Sequence, residues 1–192
     1  MTHATPITQW RERARTLMCL NVGVDHRRDT TRKAPTIRTS CGMALTMESP
    51  AFAEGERIPK QYTCEGEDVS PAFEWSDPPE GTRSFVLICS DPDAPAGTWH
   101  HWAVYDIVPD ARELPKAYPT DRSGQAVNDF GRPGYGGPCP PKGHGQHRYV
   151  FRLLALDRDR LDLGQAPRCK QVEDAAKPHI LAEATLIGLY SR

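Results

Sequence analysis

The sequence predicts a mainly β protein, an antiparallel β-sandwich with a few peripheral helices. Three observations predict it. Short apolar runs, several with an alternating pattern, recur along residues 43–192. Eighteen prolines and fifteen glycines punctuate the chain, most of them between those runs. Strands do not alternate with helical segments, which argues against βαβ units and a parallel sheet.

In order, a first short strand is expected around Ala44–Met47. Ser70-Pro71-Ala72-Phe73-Glu74-Trp75 alternates apolar and polar residues, as a half-buried strand does. Asp77-Pro78-Pro79-Glu80-Gly81-Thr82 is a turn by its chemistry. Ser84-Phe85-Val86-Leu87-Ile88-Cys89 is apolar after its first residue and reads as a central strand covered on both faces. The loop "SDPDAPAGTWHHW" (90–102) follows, and a strand is expected over His101–Val108, stopped by Pro109. Residues 109–146 read as mostly loop. His147–Leu156 carries the strongest strand signal, and a helix is expected over Lys170–Lys177, bent or ended by Pro178. Ala182–Tyr190 suits helix or strand; a closing strand is the better fit to a sandwich.

Charge divides the chain. Residues 1–42 hold eight Lys/Arg and three Asp/Glu (+5), against sixteen and twenty-two in residues 43–192 (−6), for a net charge of −1. Residues 1–42 therefore read as a basic, disordered N-terminal extension, and 43–192 as the folded domain. The basic front raises nucleic acid or membrane as partners; its low apolar content favours a plain extension, so no nucleic acid is expected. The Leu17–Val24 patch is interrupted by Asn21 and lacks a small-residue cleavage site, and no run reaches membrane-spanning length. A cytoplasmic protein is expected. None of the six cysteines forms a Cys-x-x-Cys pair, and Cys89 reads as a small core residue. There is no nucleotide-binding glycine signature.

Side chains alternate faces along a strand, so His147, Tyr149, Phe151 and Leu153 share one face. Asp91 ends one strand and His101 opens the next, ten positions later. If His147–Leu156 lies in the same layer, Asp91, His101, His147 and Tyr149 gather at one rim. Imidazoles and a tyrosine hydroxyl can donate hydrogen bonds to an oxyanion, and an aspartate can hold a histidine in one tautomer. Glycines over 134–143 allow close backbone approach, and the prolines make the loops rigid. The cluster reads as a preformed pocket for a phosphate-like group. The plainer reading is that each residue is a cap, a turn or core.

"SPAFEW" (70–75), "SDPDAPAGTWHHW" (90–102), "NDFGRPGYGGPCPPKGHGQHRYVFRLLALD" (128–157) and "HILAEATLIGLYSR" (179–192) resemble the phosphatidylethanolamine-binding protein family, in its bacterial Raf-kinase-inhibitor-like branch. The resemblance covers about residues 43–192. It implies a β-sandwich with a small anion pocket at one end, holding a phosphate-bearing ligand or a phospholipid headgroup. It also implies a non-enzymatic protein without a cofactor, which inhibits a kinase or a protease in some members; a homodimer is left open. Carried over by position, the pocket is Asp91, His101, His147 and Tyr149, with Asp93, Trp99 and Pro141 lining or bracing it. His100 points to the opposite face and is structural.

Two other chemistries compete. Cys139, eight residues before His147, could serve a Cys/His hydrolase, although nothing specifies an oxyanion hole. Asp91, His101 and His147 could bind a metal, which the resemblance does not imply. Cys64 and Cys139, both in loops near the expected pocket, could form a disulfide, which a cytoplasmic setting disfavours.

Overall fold

A computed structural model describes residues 44–119 and 124–192. The expected basic extension, residues 1–42, lies outside the described residues. Among the described residues, seven strands form two antiparallel sheets. The smaller sheet has the order β1-β2-β5, with β1 Thr46–Glu48, β2 Phe73–Ser76 and β5 Glu113–Leu114. The larger has the order β4-β3-β6-β7, with β3 Ser84–Asp91, β4 Trp99–Ile107, β6 His147–Leu156 and β7 Ile180–Tyr190. The expected sandwich is present. The helix α1 is Cys169–Ala176; Pro178 falls in a following 3-10 turn, Lys177–His179, where its missing N–H costs no helical bond.

Alternation sorts the side chains into two cores. Phe85, Leu87 and Cys89 of β3, with Tyr149, Phe151 and Leu153 of β6, face the smaller sheet and pack with Phe73 and Trp75. Val86, Ile88, Leu154 and Leu156 face the other way, onto Cys169, Val172 and Ala176 of α1. These three helix positions share one face, and the Gln171 side chain accepts the Arg168 amide at its N-terminus, 2.8 Å. With both faces covered, β3 has no polar alternation. The rings of Phe73 and Phe151 lie 4.9 Å apart between the sheets. Burying Phe73, Phe85 and Phe151 contributes about 1.5–3 kcal/mol each, before the entropy of ordering them.

Two expectations shift, and the closing strand holds. Strand β4 begins at Trp99, not His101, because Asp91 and Trp99 already pair across the ladder. The tail is strand, since β7 pairs with β6 along its length. The expected loop 109–146 contains β5, whose two residues pair with Phe73 and Glu74 and are too few to show a period.

The β3–β4 register slips between Cys89 and Ser90. Cys89 pairs with Trp102 and Ser90 with His100, so His101 is the extra residue of a β-bulge. A bulge lets adjacent residues escape strict alternation and re-aims a side chain. Trp102 reaches the inter-sheet core, His100 the α1 face, and His101 the pocket described next.

Candidate functional site

Asp91 ends β3, and the first residues of β4 and β6 flank it. The antiparallel register therefore brings Asp91, His101, His147 and Tyr149 to one end of the larger sheet. All four line a cavity of about 270 Å³, walled also by Ala94, Pro95, Trp99, Phe130, Pro140 and Pro141 among others. They are nearly solvent-free: Asp91 and His101 are 3% exposed, His147 2% and Tyr149 0%.

Hydrogen bonds fix the groups. His147 Nδ1 donates to Asp91 Oδ2 at 2.7 Å, which sets its tautomer. The other Asp91 oxygen accepts the Asp93 amide at 2.8 Å and holds the turn that follows β3. His147 Nε2 lies 3.2 Å from Nδ1 of His144, an exposed imidazole on the loop before β6. His101 Nδ1 donates to the Gly136 carbonyl at 2.7 Å, and the Gly136 amide returns a bond to the His101 carbonyl at 3.0 Å. A Cβ on Gly136 would sit 2.7 Å from the Phe130 ring, so a side chain there would displace an aromatic wall of the pocket. The His101 ring stands edge-on to both Tyr149 and Phe130.

Burial pushes the His101 pKa down, opposed more weakly by the Gly136 carbonyl and the Asp91 charge. The ring is therefore neutral at physiological pH, with its proton on Nδ1. Burial, and then the Asp91 charge, push the Tyr149 hydroxyl well up, so it remains an O–H donor. That hydroxyl sits against Asp91 and the Cys139 backbone yet reaches hydrogen-bond geometry with neither. The Trp99 indole N–H is also buried and unpaired. Buried donors without partners are rare in folded proteins. Two belong to residues of this one pocket.

The expected residues divide by role. Asp91, Trp99, His101, Pro141, His147 and Tyr149 line the cavity. Asp93 does not. It turns outward to Arg148, accepting from the backbone amide, Nε and Nη2 at 2.7–2.9 Å, and so ties the 92–98 loop to β6. Those bonds hold its carboxyl down at about pKa 2. His100 lies on the opposite face. Its amide and Nδ1 meet Asp129 Oδ2 and its Nε2 lies 3.2 Å from Glu173 of α1, joining the pocket loop to the helix.

Sequence reasoning missed Phe130 and His144. Phe130 is a large aromatic, 44% exposed, packed edge-on against Trp99 with ring centroids 5.4 Å apart. An aromatic in a polar Asn-Asp-Phe-Gly turn was the available signal. Cys139 also lines the pocket, with its sulfur bonded to Cys64. The bridge ties the pocket wall to the turn after Lys60–Tyr62 and is the reverse of what a cytoplasmic setting favours. Among the described residues, no group of His, Cys, Asp and Glu is arranged to hold a metal ion. No described helix is long and apolar enough to cross a membrane.

Fold and site thus define a β-sandwich protein with a small, rigid pocket of imidazoles and hydroxyl at one end of its larger sheet. The profile of the family described as phosphatidylethanolamine-binding protein matches residues 48–191, and the chain belongs to that family. A UPF0098 protein of Aquifex aeolicus is 53% identical over 155 residues, covering 79% of this chain and 91% of its own. Escherichia coli YbhB, also a UPF0098 protein, is 37% identical over 159 residues, covering 77% of this chain and all of its own. Two solved structures share the fold. A phosphatidylethanolamine-binding protein homologue from Chlamydia trachomatis superposes with a TM-score of 0.70 at 38% identity, covering 78% of this chain and 98% of that one. E. coli YbcL, a member of the mammalian family, superposes with a TM-score of 0.73 at 31% identity, covering 78% of this chain and 99% of that one.

Proposed function

We propose that this is a binding protein whose pocket receives the oxyanion of a small phosphate-bearing molecule. One observation carries the reading: Tyr149 and Trp99, whose O–H and Nε1–H are buried without a hydrogen-bond partner, line the cavity together with His101 and His147. An oxyanion offers several acceptor lone pairs at one point and can satisfy donors that converge from different strands. Asp91 fixes His147, and the Gly136 carbonyl fixes His101, so little side-chain freedom is lost on binding. The apolar wall of Ala94, Pro95, Phe130, Pro140 and Pro141 suits an organic substituent on the phosphate. A phospholipid headgroup is one such ligand.

A hydrolase built on Cys139 has less support. Its sulfur is bonded to Cys64, so this form offers no thiolate, and a cysteine nucleophile requires one.

Calorimetric titration with inorganic phosphate and with phosphoethanolamine tests the proposal. Saturable binding of either, lost on His147→Ala while the far-ultraviolet circular dichroism is unchanged, is expected. No heat from either ligand between about pH 5 and 8, the range over which histidine changes charge, would overturn it.

A further inference from the structure

The pocket is short of positive charge. Among the described residues no lysine or arginine lines it, while a buried carboxylate, Asp91, does. Lys142, beside Pro141, is exposed to solvent, and the arginines around the cavity are engaged by neighbours. Arg148 is held by Asp93, and Arg132 by Asp68. Arg192 donates to the Pro140 carbonyl and lies against the sulfurs of Cys64 and Cys139. An anion placed here meets a like charge in a poorly solvated site, which is costly unless a compensating charge arrives with it.

The tautomers show where that charge can come from. His101 has its Nδ1 proton on the Gly136 carbonyl, and among the described residues no hydrogen bond reaches its Nε2. A neutral ring in that tautomer presents a lone pair at Nε2, which repels an oxyanion. One added proton converts the same atom into a charged donor. His147 is placed differently: Nδ1 is on Asp91, and Nε2 already faces His144. The groups that face His101 are Asp91 from β3, Tyr149 from β6, and the Asp129, Phe130 and Gly136–Gly137 segment. Tyr149 is neutral. Asp91 and Asp129 are the charged groups that act on the ring, and both favour its protonated form.

We propose, building on the oxyanion reading above, that binding is proton-coupled: the ligand enters together with one proton, which settles on Nε2 of His101. The pocket then gains a donor and a positive charge only when it is filled. Its affinity falls as pH rises. Burial keeps the free ring neutral, and the bound anion stabilises the imidazolium, so His101 titrates higher in the complex than alone. Between the two pKa values each bound anion takes up one proton, and the dissociation constant rises roughly tenfold per pH unit.

Sulfate is the probe, because it does not itself titrate in this range. Calorimetry in buffers of different ionisation enthalpy should give an uptake near one proton per sulfate at about pH 7. Nitrogen-15 imidazole spectra should move His101 Nε2 from the lone-pair to the protonated region on saturation, with His147 Nδ1 unmoved. In His101→Gln, whose amide donates without titrating, the uptake should vanish and the pH slope flatten. Binding that is independent of pH with no uptake, or uptake that appears on His147, would overturn the inference and leave the oxyanion reading intact. If neither sulfate nor phosphate binds at any pH tested, both fall together.

Discussion

Tyr149→Phe removes one oxygen and separates a binding role from a structural one. In the free protein the hydroxyl is fully buried and bonded to no protein atom. An unpaired buried hydroxyl costs about 1–3 kcal/mol, so its loss should leave stability unchanged or raise it by roughly 1 kcal/mol. The ring edge against His101 and its place in the inter-sheet core are retained. Binding should change in the opposite sense. A hydrogen bond to a charged acceptor contributes about 1.5–3 kcal/mol, so the phosphate dissociation constant should rise by about ten- to a hundredfold. Urea unfolding at fixed pH gives the first quantity and calorimetric titration the second. A variant that is destabilised by more than about 1 kcal/mol while binding phosphate as before would show that the hydroxyl supports the fold, and the reasoning would fail.

Three further outcomes are expected. In denaturant without reductant, peptide mapping should find Cys89 and Cys169 labelled by a thiol reagent, and Cys64 and Cys139 labelled only after reduction; Cys64 and Cys139 labelled from the start would mean that they are not joined. The depressed Asp93 carboxyl contributes stability that is fully present above its unfolded pKa near 4 and is lost as pH falls toward about 2. Asp93→Asn should flatten that acid limb, with an effect near neutral pH below about 1 kcal/mol because the pair is solvent-exposed, as urea midpoints across pH would measure. Removing the buried His100 ring by His100→Ala leaves a cavity and breaks the link between Asp129 and Glu173, and should destabilise by about 2–4 kcal/mol, read from the denaturant midpoint; an unchanged midpoint would contradict the role assigned to it.

The sequence by itself determined the β class and the positions of the strongest strands. The apolar run at 84–89 and the alternating one from His147 specify covered and half-covered strands through local side-chain pattern alone. It also placed Asp91, His101, His147 and Tyr149 at strand ends, which brought them to one rim once the strands were taken as neighbours. The tertiary structure decided what depends on partners distant in the chain. The bulge that frees His101 from alternation with Trp102 exists only in the register against Cys89 and Ser90. Asp93 turns outward because Arg148, 55 residues away, offers it three donors. Phe130, His144 and Cys139 reach the site or its edge on loops whose course follows from bonds such as His101 to Gly136, and not from any local period. Short-range pattern reports which face of an element is buried; register and loop closure are set by contacts across the fold, and those contacts determine that Asp91, His101, His147 and Tyr149 line one cavity.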